Sequence, residues 1–264
     1  MTISFNNIGR HGRLGNQMFQ YASLRGIASH QGYSFTIPPS NGNNEWTDHQ
    51  LFKCFNLGSL QTHNIGYSQH RVVNEKGFDF DDNLFHNCSD NIDILGYLQS
   101  EKYFLHIQDS IKQDFTFHNH IETAAKQTLD KYYPDPLISL HIRKTDYKNC
   151  AIHDDGCCSM EYYEQALSLL DSSLTVLILT DDIDWVSNQD FFKEKRYVIH
   201  NPISNAVDMC MMTMCDYNII ANSSFSWWGA WLGKHKKVIA PKKWFGSRGP
   251  KSWSDIYCSE WLIV

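Results

Sequence analysis

Short apolar runs recur through the second half of the chain, at 137–142, 175–179, 196–199, 217–221 and 237–240. Between them lie stretches with helical periodicity, at 160–170, 184–192, 205–214 and 225–232. Brief β-rich runs separated by helices predict a parallel, doubly wound sheet. In such a sheet a ligand lies beyond the carboxyl ends of the strands, where the connecting loops gather.

The first half opens with a similar unit. A strand at 3–8 leads into a turn from Gly9 to Gly15, followed by a helix at 17–29 whose broad face carries Met18, Phe19, Tyr21, Ala22 and Leu24. A strand at 33–37 closes the unit ahead of Pro38 and Pro39. Residues 41–91 are polar and rich in Asn, Asp and His, and read as loops with short elements. A strand at 93–98 and a short helix at 100–106 follow. Pro134 and Pro136 end a helix and start an extended segment. They place the domain boundary at 135/136, giving an α/β domain over 1–135 and a second over 136–264. Two α/β units facing a cleft is the coarse architecture expected.

The chain has 264 residues, with 23 basic against 29 acidic residues and a net charge of −6. This balance offers no general attraction for nucleic acid, so a positive site must be local. The residues from Met1 to Phe5 lack the basic and apolar regions of a signal peptide. No stretch approaches the roughly 18 apolar residues of a spanning helix. A cytoplasmic protein is expected, able to work at the inner face of a membrane. Eight cysteines and thirteen histidines occur without metal-ligand spacing, and no metal site is expected.

Three polar clusters fall at predicted strand ends. They are His141-Ile142-Arg143-Lys144-Thr145-Asp146, Thr180-Asp181-Asp182, and Asn222-Ser223-Ser224-Phe225-Ser226. Each alone reads equally well as a helix cap or a surface ion pair. On one sheet edge, together, they fit a nucleoside diphosphate. A helix starting near Ser223 offers unpaired N–H groups and partial positive charge to phosphate oxygens. Arg143 can hold a pyrophosphate in two parallel hydrogen bonds, and a carboxylate such as Asp181 can accept from guanine. No P-loop motif is present. A fourth cluster is the glycine-rich turn Gly12-Arg13-Leu14-Gly15-Asn16-Gln17, where Arg13 and Asn16 supply donors at a helix start. Trp227, Trp228 and Trp231, at helical spacing, read as core rather than as a sugar platform.

Five segments in this order resemble the α-1,2-fucosyltransferases of glycosyltransferase family 11. They begin at Gly12-Arg13-Leu14-Gly15-Asn16-Gln17-Met18-Phe19-Gln20-Tyr21-Ala22, continue through Gly96-Tyr97-Leu98-Gln99-Ser100-Glu101-Lys102-Tyr103-Phe104, His141-Ile142-Arg143 and Leu179-Thr180-Asp181-Asp182, and end with the long run from Ile219 through Asn222-Ser223-Ser224-Phe225-Ser226-Trp227-Trp228-Gly229-Ala230-Trp231 to Leu232.

The resemblance implies an α/β fold of two Rossmann-like units facing a cleft (GT-B-like), with GDP-β-L-fucose as sugar donor. It implies inverting transfer to the 2-hydroxyl of a galactose-terminated glycan, with neither metal nor cofactor. It assigns Arg143 to the β-phosphate, His141 and Asp181 to the guanine, and Asn222, Ser223, Ser224 and Phe225 to the phosphates. Where the family reads His-x-Arg-Arg-Gly-Asp, this chain has Lys144 and Thr145, which keeps one charge but loses a planar fork. Arg13, Lys144 and the helix start at Ser223 would assist Arg143 as the leaving group gains charge, and Asn16 is expected among the donor-binding residues. Asp146, on the arginine's loop, is the first candidate for a general base and equally a partner for Arg143, with Asp154 and Asp155 behind it. The first half is expected to hold the acceptor, with Trp46 stacking on a sugar face. Lipid-linked glycans would bring the protein to a membrane periphery.

Overall fold

The computed structural model describes residues 1–40, 48–57, 60, 62, 71–153 and 158–264. The chain divides into two compact units, one of Met1–His118 with Ser252–Cys258 and one of Asn119–Lys251 with Ser259–Val264.

In the first unit, β1 (Thr2–Ser4) leads into α1 (Leu14–Gln31), which returns to β2 (Ser34–Thr36). Then come α2 (Leu51–Cys54), β3 (Arg71–Asn74), α3 (Asp82–His86), β4 (Ile92–Leu95) and α4 (Gln108–Asp114). The four strands are parallel, in the order β2-β1-β4-β3. α1 is longer than expected because its first turn includes Leu14 and Gly15, and it ends where Gly32 adopts the left-handed conformation. Segment 252–258 belongs here through Asp79, whose carboxylate accepts from Asp255 N at 3.1 Å and from Ser252 Oγ. Asp255 in turn accepts from Phe80 N and pairs with Lys102 at 2.6 Å.

The second unit runs α5 (Asn119–Leu129), β5 (Leu137–Ile142), α6 (Met160–Ser168), β6 (Thr175–Thr180), α7 (Ile183–Ser187), β7 (Tyr197–Ile199), α8 (Asn205–Met214), β8 (Tyr217–Ile219), α9 (Ser224–Leu232), β9 (Lys237–Ala240) and β10 (Leu262–Ile263). Its six parallel strands lie in the order β10-β9-β8-β5-β6-β7. The first three progress outward one way and the rest the other way, so the order reverses between β5 and β8. β5 is buried along its whole length, as its unbroken apolar run requires of a strand covered on both faces. The division at His118/Asn119 precedes the expected 135/136 because α5, through Ile121, Ala125 and Leu129, packs with the second unit on α8.

Trp227 and Trp228 are fully buried and Trp231 nearly so, with Trp261 against Trp227 at 5.5 Å between ring centroids. They form core, as their spacing indicates. Among the described residues, no helix is long and apolar enough to cross a membrane.

Candidate functional site

The reversal between β5 and β8 is where a doubly wound sheet opens a crevice beyond its carboxyl edge. The loop after β5 and the turn after β8 meet there, and most of the residues singled out from the sequence lie on them.

His141, at the end of β5, is buried and shares a 2.9 Å hydrogen bond between Nδ1 and Ser226 Oγ. Its ring rests on Phe225 at 5.4 Å. Burial outweighs the nearby Asp181 and Asp208 carboxylates and holds its pKa down to about 4, so the imidazole is neutral at pH 7. It joins the β5 end to α9 as a hydrogen-bonding group, not a charge.

Arg143 is planted between two carboxylates. Its Nε and Nη2 donate to Asp146 at 2.8 and 2.7 Å, a bidentate pair, and Nε also lies 3.1 Å from Asp181 Oδ2. The guanidinium is 14% exposed and Asp146 is 41% exposed, so this pair borders solvent. Among the described residues, Nη1 makes no hydrogen bond.

Asp181 accepts the N–H groups of Lys144 (2.8 Å) and Thr145 (3.2 Å) and the Thr145 hydroxyl (2.6 Å). The carboxylate expected at guanine therefore organises the arginine's loop. Its neighbour Asp182 is the helix cap, accepting from Trp185 N at 3.0 Å. A hydrogen bond from Lys148 holds Asp182 below the ordinary carboxylate range.

Lys144 is also placed differently from expectation. Its ammonium is buried, donating to the Cys158 carbonyl at 2.7 Å and lying 4.3 Å from the Trp185 ring centroid. Its backbone follows the loop while its charge is satisfied below it.

Across the reversal, Ser223 caps α9, its Oγ accepting from Phe225 N at 3.3 Å, and Ser224 opens the helix. Asn222 is buried with Nδ2 on the Trp244 carbonyl at 2.8 Å. Its side chain fixes the turn, leaving the approach to α9 to the serines. Tyr147, missed in the sequence, ties the two loops: its phenol donates to the Asn222 carbonyl at 2.9 Å. Burial raises that phenol's pKa, so it stays a donor. Its ring stacks on His153 at 3.9 Å, and His153 stacks in turn on Phe245. An aromatic four residues after an arginine beside a strand end was the available signal.

The first unit has its own loop cluster. Arg13 is the cap residue of α1, and its carbonyl accepts from Asn16 N and Gln17 N. Asn16 Oδ1 accepts from Gln99 Nε2 at 2.8 Å. Gly12 has φ +93°, and a Cβ there would collide with the Asn16 side chain, so glycine is required. Gln17, Gln20 and Ser23, three residues apart on α1, form a buried polar stripe. Gln20 donates to the His11 and Gly96 carbonyls, Gln17 to Gly12, and Ser23 to Leu98. That spacing was visible in the sequence beneath the more obvious apolar face. Trp46, Asp154 and Asp155 lie outside the described residues. Among the described residues, no three His, Cys, Asp or Glu side chains are grouped to hold a metal ion.

The model of glycosyl transferase family 11 matches residues 2–264. An alpha-1,2-colitosyltransferase of Escherichia coli is 29% identical over 263 residues, covering 89% of this chain and 90% of its own. A galactoside 2-alpha-L-fucosyltransferase of Bos taurus is 25% identical over 243 residues, covering 85% of this chain, which spans 63% of that relative's length. Among solved structures, fucosyltransferase NodZ from Bradyrhizobium superposes with a TM-score of 0.57 at 13% identity, over 88% of this chain and 93% of its own. That likeness bears on the fold, and the expected GT-B-like α/β class agrees with it. By the match along its whole length, the chain belongs to glycosyl transferase family 11.

Proposed function

We propose that this chain transfers L-fucose from GDP-β-L-fucose to the 2-hydroxyl of a terminal β-galactose, with inversion and release of GDP. The observation that carries the reading is Arg143: a guanidinium on the loop after β5, at the strand-order reversal that α9 follows, with Nη1 making no hydrogen bond among the described residues. Departure of GDP places new negative charge on its β-phosphate. A planar fork and a helix N-terminus are groups that stabilise such charge as it develops. In the resting protein Asp146 occupies the fork. The pyrophosphate would replace that exposed carboxylate, and Arg143 would exchange one anion for another without a change in its own charge.

The remaining assignments follow the geometry. Ser223 and Ser224 present the start of α9 to phosphate. His141, neutral and bonded to Ser226, keeps Phe225 and the α9 start in register with β5. Asp181 shapes the 144–145 loop, which would border the guanine. Arg13 and Asn16 would contribute from the first unit, which would also hold the acceptor. Support for the sugar and linkage comes from the relatives, one an alpha-1,2-colitosyltransferase and the other a galactoside 2-alpha-L-fucosyltransferase. A NodZ structure of similar fold was obtained soaked with GDP-fucose (TM-score 0.54).

A colitosyl donor is the second reading, favoured by the relative that matches about nine-tenths of both chains. Incubation with GDP-fucose and, separately, the corresponding colitosyl nucleotide, over a panel of β-galactosides, separates the two. Acceptor-dependent GDP release is expected with the fucosyl donor, persisting in EDTA, with an α-1,2-linked product by NMR. Transfer with the colitosyl nucleotide alone would overturn the choice of sugar. GDP release with neither would overturn the enzymatic reading.

A further inference from the structure

We propose that Glu75 is a positioning residue: its carboxylate holds the 96–99 turn, and through Gln99 sets Asn16 in the glycine-rich turn. Glu75 follows directly on β3, and its Oε2 accepts the N–H groups of Tyr97 at 2.8 Å and Leu98 at 3.1 Å. The turn lies at the carboxyl end of β4, beside the start of α1. It takes an unusual path, since Leu98 adopts φ +52°, which a branched side chain rarely occupies unless its surroundings enforce it.

Four groups enforce it. Ser23 Oγ and Ser100 N donate to the Leu98 carbonyl at 3.1 and 2.9 Å, Gln20 donates to the Gly96 carbonyl at 3.2 Å, and Glu75 takes the two amides. Gly96 lets the carboxylate approach: a Cβ there would lie 2.6 Å from Glu75 Oε2. The next residue, Gln99, then reaches Asn16 at 2.8 Å. Of the holding groups, Glu75 alone is ionisable, and its Oε1 is buried without a hydrogen-bond partner among the described residues.

Burial is the main reason its pKa is pushed up to about 7, against the lowering effect of the two amides. The titratable groups facing it are Asp81, ahead of α3, which adds to the rise, and Tyr103, whose phenol oxygen accepts from Asp81 N at 2.8 Å. Asp255 acts on Tyr103 and is paired with Lys102. The ionised carboxylate holds the amides more strongly than the neutral acid, because charge assistance roughly doubles such bonds. The turn is therefore firmest above neutrality.

This inference rests on the transferase reading for its kinetic consequence, but not for its structural one. The test uses the full chain with Glu75→Ala and Glu75→Gln. The glutamine keeps an acceptor oxygen and adds no cavity, so it guards against a folding defect. Hydrogen exchange at the Tyr97 and Leu98 amides is the first readout: Glu75→Ala should lose protection there while β5 retains it. The second is the KM for GDP-fucose, which should rise about tenfold in Glu75→Ala with the acceptor KM little changed, as expected when a donor-side group is displaced. In the wild type the GDP-fucose KM should fall as pH rises through 7, and in Glu75→Gln it should be flat. Unchanged amide protection in Glu75→Ala, or a wild-type pH profile in Glu75→Gln, overturns the proposal. An inactive wild type defeats the transferase reading instead, and the exchange data still decide the role of Glu75.

Discussion

At the carboxyl ends of β5, β6 and β8, the loops are tied by charge: Arg143 to Asp146 and Asp181, Lys148 to Asp182, Lys144 to a carbonyl. At the carboxyl ends of β1 and β4, in the other unit, they are tied by Gln17, Gln20, Ser23 and Gln99, with Glu75 the exception. Both edges belong to parallel sheets with a helix starting in the loop cluster. The difference lies in what each can exchange. An ion pair at a solvent border accepts a substitute anion at little cost, since exposed pairs contribute only about 0–1 kcal/mol. A buried amide network resists rearrangement, because each lost bond strands a polar group. The second unit's edge is thus suited to a ligand that arrives and leaves with negative charge. The first unit's edge is suited to keeping its loops in one fixed arrangement.

The largest break in this comparison should come from Arg143→Lys. The charge remains but the fork is lost, and kcat/KM should fall by the equivalent of about 2–4 kcal/mol at the transition state. Near-normal turnover would remove the arginine from the chemistry. A smaller effect is expected of Asp181→Ala, which frees two backbone N–H groups and the Thr145 hydroxyl. Lost loop order should weaken GDP binding by about tenfold, at ~1.4 kcal/mol, with the acceptor KM little changed. If the GDP dissociation constant is unaltered, the loop's shape does not matter to the nucleotide.

The smallest effect sharpens the electrostatics of the second unit without touching its anion site. Burial lowers the His153 pKa from 6.5 to about 4. The unfolded chain then binds more protons between those values, so stability is present above pH 6.5 and is lost as pH falls towards 4. His141 acts in the same direction over the same window. His153→Phe keeps the stacking between Tyr147 and Phe245 and removes one titration. Its Tm should decline less steeply than the wild type's between pH 6.5 and 4, and an unchanged slope would show that His153 is not buried neutral.

How much of this was readable beforehand depended on burial. β5, β6 and β9 were evident because central parallel strands are apolar without interruption. β3 was not, since Arg71–Asn74 is largely exposed, and β10 has only two residues, both exposed. α2 and α3 are too short for a helical period to register. The unit boundary followed α5's packing on α8 instead of the nearby prolines. At the site, the strand-end clusters were evident by position, but their partners were not. Asp181 turned to the nearest backbone amides, and Lys144 to the carbonyl and ring beneath it. Short-range geometry of that kind leaves no trace in residue order. Tyr147 shows the same limit, because an aromatic acts here as a hydrogen-bond donor across a strand-order reversal.

The claim at the centre is that Arg143 trades Asp146 for a pyrophosphate. The direct measurement is the GDP dissociation constant of Asp146→Asn against wild type, by calorimetry at fixed salt. Asparagine is similar in size but competes weakly for the guanidinium. If Asp146 is the resting partner that the nucleotide displaces, removing its charge should tighten GDP binding by about 2–5-fold, the worth of a partly exposed ion pair. GDP binding tenfold weaker in Asp146→Asn would contradict the exchange, and would mean that the carboxylate is needed to aim the arginine.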